Sequence, residues 1–507
     1  MPLLSVIHFG IIYFLKNKKS AMKKTILLFL LSCIIGACSQ TNENIHTKVS
    51  STPSIFPDYV GVTIPYNIAP LNFTANSNDE EILSAYIESN KSQLLIKAKK
   101  GFISIPIKEW RTLLTKSKGD SIKVTITSCL NGENRQYKPF SIYVSPEAID
   151  RYIAYRLIEP LYAIWHEMGI YQRDLETFEQ TAIYENKLTD HNCVNCHSFC
   201  KQSADKMLFH MRGDYNGTVF MNNDEIEFVI PKTKETSTLV YPFWHPSGKF
   251  VAFSTNDTYQ ILHPTHRVEV YDLSSNVIVY DIENHSILLN SKLFGTESFE
   301  TFPTFSPDGK QLYYCSAKPV SMPDSIHQLK YSLCSIAFDV ENRSFGQTDT
   351  LYNAIKEGGS ISFPRISPDG KFLMYTHSEY ATFPIWHDDA DLYIIDLQTK
   401  EKINLPFVNS EKSESYHSWS SNSRWVVFSS RRIDGLHTRP YITYIDHEGK
   451  ASKPFLLPQN KKDFYKMFMK SYNIPEFIKS PISVHKASQI ARKAKTEKIP
   501  VKLQRVP

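Results

Sequence analysis

The chain has no apolar run that reads confidently as a membrane span. A spanning helix needs about 20 apolar residues, and the best candidate, "MKKTILLFLLSCIIGAC" from Met22 to Cys38, offers about a dozen in its core. Strong charge of one sign is also missing. Lys and Arg number 57 against 52 Asp and Glu, a net charge of +5 over 507 residues. With no long basic stripe, this argues against a nucleic-acid partner. There is no G-x-S-x-G nucleophile elbow, no H-E-x-x-H, no P-loop and no dinucleotide fingerprint. Hydrolase, kinase and dehydrogenase chemistry have no carrier, so the expectation is a protein that is not an enzyme. What remains is an ordinary globular composition, 42% apolar and 21% charged, long enough for two or three domains.

The apolar run from Met22 follows Lys23 and Lys24 and ends in Ile35-Gly36-Ala37-Cys38. Its regions are those of a signal peptide. The ending resembles the lipobox of bacterial lipoproteins, which implies a lipidated Cys38 and a membrane attachment in the cell envelope, expected at the outer membrane. Residues 1–38 are then signal, with 1–21 a gene-model extension ahead of the true start at Met22, and 39–54 a polar tether. Six cysteines remain in an oxidising compartment: Cys129, Cys193, Cys196, Cys200, Cys315 and Cys334.

Between 55 and 145 the pattern alternates at the period of half-buried strands, as with Ile122, Val124 and Ile126 in "SIKVTITSCL". This predicts a small β-sandwich. Ser145-Pro146 reads as a helix start, and apolar Ile149, Ile153 and Leu157 predict a helical linker over 146–190. Repeats follow over 191–460. "YPFWHPSGKFVAFST", "TFPTFSPDGKQLYYCS", "SFPRISPDGKFLMYTH" and "SYHSWSSNSRWVVFSS" align, and Pro246, Pro307 and Pro368 are 61 residues apart. Each unit is aromatic-Pro, a short strand, a tight turn and an alternating strand. Pro presets φ, Asp bonds the local backbone and Gly accepts positive φ. Later strands such as "HRVEVYDLSS" and "DLYIIDLQTK" complete four per unit. Such units resemble the WD40-like repeats of TolB-type β-propellers. The resemblance implies a mainly β fold with a C-terminal propeller of five to six blades, a scaffold that holds a protein or other ligand on one face. The last copy, Ser420 to Arg424, departs from the turn pattern. Residues 461–507 end in a basic stretch that reads as a frayed tail.

One motif carries cofactor chemistry. "CVNCH", from Cys193 to His197, is the attachment pattern of c-type haem. Two thiols bond the porphyrin vinyl groups, and the next His ligates iron. Met207, His210 or Met211 would supply the distal ligand, with His166 and His191 also available. Three other outcomes stay open: a disulfide among Cys193, Cys196, Cys200 and Cys129; a zinc site of Cys193, Cys196, His197 and Cys200; and a thioredoxin-like redox pair. Aligning the motif with the repeats places it at a hairpin turn. Cys315 and Cys334 are candidates for a cross-strand disulfide. Asp388, Asp389 and Asp391 are candidates for a divalent cation, or a solvated loop. Two functions follow: a binding scaffold that carries haem as cargo, or a haem-dependent electron-transfer or redox-sensing protein.

Overall fold

The computed structural model describes residues 47–507 except 76–81, 161–165, 237 and 266. The lipobox, with Cys38, lies outside the described residues. The protein is mainly β, and most of its strands fall into successive four-stranded antiparallel meanders.

Sheet I contains Val194–Phe199, Lys206–Met211, Gly217–Asn222 and Glu225–Ile230. Sheet II contains Leu239–Trp244, Phe250–His263, Arg267–Asp281 and Ser286–Leu289. Sheets III to V follow the same plan. Their first strands are Phe299–Phe305, Ser360–Ile366 and Glu414–Trp419. The fourth strand of sheet V is Phe455–Leu456. Sheet VI is assembled from distant parts of the chain, with Ser471–Ile478 pairing antiparallel to Tyr152–Ile158, then Gly169–Asp174 and Gln180–Glu185. The first strands pack side by side in the order I to V. Ser471–Ile478 packs against both Glu414–Trp419 and Val194–Phe199.

The repeated turns fold as their chemistry requires. Ser306 Oγ donates to Asp308 at 2.5 Å, and the Lys310 N–H donates to the same carboxylate at 3.0 Å. Gly309 then takes φ +76. Ser367, Asp369, Gly370 and Lys371 repeat this arrangement. The irregular last copy keeps it with other residues. Asn422 stands for Asp, accepting from Ser420 Oγ at 2.6 Å, and Ser423 stands for Gly at φ 62. Ser423 has a use for its side chain: Oγ accepts from the Asp369 N–H at 2.9 Å, and Arg424 pairs with the Asp369 carboxylate at 2.7 Å. The departure from Pro-Asp-Gly ties sheet V to sheet IV.

The N-terminal region holds a seven-stranded sheet, a three-stranded sheet and the helix Ile107–Lys116. Ile122, Val124 and Ile126 are buried as their alternation predicts. The helix, absent from the sequence reading, buries Trp110, Leu113 and Leu114. This region shares one apolar core with sheets IV and V, where Tyr59 and Ile64 join Phe372, Trp425 and Phe455.

Three expectations are corrected. Among its described residues the 146–190 linker has no α-helix, only the 3-10 turn Asn186–Thr189, and it supplies the outer strands of sheet VI. Ile153, Tyr155 and Leu157 are buried at alternate positions, and pairing to Ser471–Ile478 overrides the helical spacing. The tether over 39–54 is in part structured, because Thr47–Lys48 pairs parallel with Arg135 and Gln136. The basic tail is not frayed. The helix Lys486–Thr496 buries Ile490 and Ala494, and Ile499–Pro500 and Lys502–Arg505 add parallel strands to sheets I and II. No helix among the described residues is long and apolar enough to cross a membrane.

Candidate functional site

Each inner strand carries the same irregularity. Pairing slips between Asn195 and Ser198, Val240 and Phe243, Thr301 and Thr304, Ser362 and Arg365, and Ser415 and Ser418. At each slip one residue takes positive φ: Cys196 (51°), Tyr241 (48°), Phe302 (52°), Phe363 (51°) and Tyr416 (50°). In sheet VI it is Ile474 (50°). These are β-bulges, which re-aim the side chains beside them. The following residue is Pro in four strands and His in two, His197 and His417.

Cys196-His197 is therefore the sheet I copy of the aromatic-Pro step. The expectation that the motif forms a hairpin turn is corrected: Cys196 and His197 lie within the strand Val194–Phe199, and the turn is made by Cys200 to Asp205. His197 stands four residues before Lys201, as Pro242 stands four before Pro246.

The bulge residues converge where the inner strands meet. A cavity of about 20 Å³ there is lined by Cys196, His197, Tyr241, Tyr416, His417 and Glu476, among others. His197 is 2% exposed, and neither ring nitrogen has a hydrogen-bond partner. Burial pulls its pKa down to about 3, with Arg156 adding to the effect. Burial likewise pushes the Cys196 thiol up.

The residues of the motif do not fit a covalent haem. Cys193 packs toward the cluster shared with sheet VI, whereas Cys196 lines the small central cavity. That cavity holds about one water, against several hundred Å³ for a large ligand. None of Met207, His210 and Met211 lines it. Met207 and Met211 are buried in the sheet VI cluster, and His210 bonds Thr218 Oγ1 at 2.8 Å beside the Phe253 ring. His166 and His191 stack on each other, 4.1 Å between ring centroids. Among the described residues no His, Cys, Asp and Glu group is placed to hold a metal, so the zinc set and the acidic loop are not assembled. Asp388 pairs with Lys412, and Asp389 accepts from the Glu379 N–H. The six cysteines among the described residues form no disulfide. Cys315 pairs with Leu333 and Cys334 with Tyr314, so the two thiols leave opposite faces of sheet III.

A larger cavity, about 290 Å³, opens above the small one at the turn end of the inner strands. Arg365 and Glu476 line both. Its wall includes Phe243, Trp244, Phe305, Trp419 and Phe477, and its rim Lys201 and Lys479. Pro246, Pro307 and Pro368 from three repeat turns border it. Two indoles are fixed by the neighbouring strands: Trp244 Nε1 donates to the Ser198 carbonyl at 3.2 Å, and Trp419 Nε1 to the Arg365 carbonyl at 3.1 Å. Glu476 Oε2 is buried without a partner, and burial lifts this carboxyl to about 8 despite the pull of Arg365. The sequence signalled the border through the repeated prolines. It gave no sign of Arg365 and Glu476, because each stands at a position that other repeats fill with Ser, Thr or Phe.

At the other end of the inner strands, the sheet II hairpin runs past its partner strand and reaches sheets III and IV. There Asp272 accepts from Tyr331 and Thr382, and Glu269 from Tyr380 and His387.

No protein-family model matches the chain, and no curated protein does. Solved structures with similarity include a puromycin-hydrolysing peptidase of Mycobacterium tuberculosis, at TM-score 0.35 and 12% identity over 79% of this chain and 57% of that one. A periplasmic gluconolactonase of Pseudomonas aeruginosa gives 0.35 and 13%, over 65% and 100%. A prolyl endopeptidase gives 0.34 and 9%, over 66% and 40%.

Proposed function

We propose that this protein is a binding scaffold of the bacterial cell envelope, its six sheets arranged as a closed β-propeller. The side-by-side packing of the six inner strands, with Ser471–Ile478 against both Glu414–Trp419 and Val194–Phe199, supports the ring. The mouth at the turn end of those strands is the binding site. One observation carries the reading: the cavity of about 290 Å³ bordered by repeat turns, with aromatic walls and two ionisable groups on its floor. It falls just under the usual range for ligand pockets, about 300–1,000 Å³. Apolar walls with a few convergent polar groups are the usual composition of such sites. The envelope placement rests on the lipobox-like ending at Cys38. Cys193 and Cys196 pack toward different parts of the core, which gives the haem-dependent alternative no support.

The test fills the mouth. Ser418 lines the cavity and is half-buried. The wild-type protein and Ser418→Trp are titrated with 3-phenylpropanol and 3-phenylpropionate, followed by calorimetry. Saturable binding to wild type that weakens at least tenfold in a folded Ser418→Trp supports the reading. Undiminished binding to the variant overturns it.

A further inference from the structure

We infer that the mouth selects a small carboxylate with a flat apolar body, and that Arg365 is the clamp for its carboxylate. This rests on the ligand-binding reading above and adds the ligand's chemical class.

Arg365 stands two residues past the bulge at Phe363, where the inner strand turns its side chain to the cavity. Its Nη1 donates to the adjacent Pro364 carbonyl at 2.9 Å, and its guanidinium lies 5.2 Å from the Phe243 ring centroid. No ion pair to Arg365 forms among the described residues. A guanidinium has five donors in a planar fork that matches a carboxylate bidentately. Here the guanidinium lies over the Phe243 ring, its strand is latched by Trp419, and most of its donors are left for a ligand.

Glu476 lies farther from Arg365 than an ion pair allows. With its carboxyl lifted to about 8, it is protonated at neutral pH and can donate to a second carboxylate oxygen. Lys201 and Lys479 at the rim make the whole site cationic. Below the floor, His197 is more than nine-tenths buried, unpartnered and turned into the small cavity. That leaves room for one water between the imidazole and a bound acid group. The aromatic wall sets the rest of the ligand. Phe243, Trp244, Phe305 and Trp419 favour a ring that stacks or packs edge-on. An amine is disfavoured, because its only acidic partner is neutral and three cations surround it.

The test compares 3-phenylpropionate with 3-phenylpropanol at pH 7 on the full chain, using wild type, Arg365→Gln and Arg365→Lys. We expect the acid to bind wild type at least tenfold more tightly than the alcohol. Arg365→Gln should cut acid affinity tenfold or more and alcohol affinity less than threefold, with an unchanged urea midpoint reporting that the variant is folded. Arg365→Lys, which keeps charge but not the fork, should fall between. Equal affinity for acid and alcohol, or acid binding that survives Arg365→Gln, overturns the clamp and leaves the scaffold reading standing. Binding of neither probe overturns both.

Discussion

Gly309 and Gly370 hold the same place in the same turn, both at φ +76, yet they face different neighbours. A Cβ on Gly370 would meet nothing within 4 Å, whereas one on Gly309 would come within 2.3 Å of His245 Nε2. His245 is itself held there, bonded to the Gly309 carbonyl at 3.1 Å and stacked edge-on to Phe305. Gly370→Ala should therefore lose only the backbone preference, about 1–2 kcal/mol. Gly309→Ala adds displacement of a packed ring, for about 1–3 kcal/mol more. Urea unfolding of the two variants checks the order, and equal losses would contradict the turn geometry. These turns were legible in the sequence because Ser, Asp and Gly each act within a few residues of themselves. Cys196 and His197 were not. The local pattern Cys-x-x-Cys-His has its own chemical meaning, and only long-range strand pairing shows that the pair fills the aromatic-Pro step of sheet I.

Among the elements, the last nine residues act as a staple. Ile499–Pro500 extends sheet I, and Lys502–Arg505 extends sheet II. The Phe345 N–H then donates to the Pro507 carbonyl at 3.1 Å, reaching sheet III. Ile499, Val501 and Leu503 pack on the core between sheets I and II. Deleting residues 499–507 should cost on the order of 2–4 kcal/mol from that partly buried apolar surface. It should also expose the edges of Glu225–Ile230 and Ser286–Leu289 to pairing with other chains. Thermal unfolding and light scattering check this, and an unchanged melting temperature would rule the staple out. The middle repeats were readable because all four strands of each are contiguous in sequence. Sheet VI was not, since its inner strand lies more than 300 residues beyond the strand it pairs with. Periodicity alone reports how a segment is buried, not which partner buries it, so Ile149, Ile153 and Leu157 read as a helix.

At the scale of the whole molecule, the inner strands bring groups from distant sequence to one meeting point, where burial shifts them in opposite directions. His417 bonds the Met374 carbonyl at 2.9 Å, and burial drives its pKa down to about 3. The unfolded chain, with histidine near 6.5, then binds more protons between those values. The stability due to a neutral His417 is complete above pH 6.5 and falls as pH drops toward 3. Glu476 runs the other way. Its folded value of about 8 exceeds its ordinary 4.5, so the folded state holds the extra proton. Its favourable contribution is full below pH 4.5 and is lost as pH rises to 8. Each pH unit corresponds to up to about 1.4 kcal/mol per group. Glu476→Gln keeps the shape of the protonated acid and cannot ionise. The stability of this variant relative to wild type should therefore climb steadily from pH 4.5 to 8 and level off above. His417→Gln should gain on wild type as pH falls below 6.5. Denaturant midpoints across pH 4–9 measure both slopes. Parallel curves for Glu476→Gln and wild type would mean that the carboxyl is solvated rather than set at the meeting point of the inner strands, and the cavity floor would then lack the protonated donor.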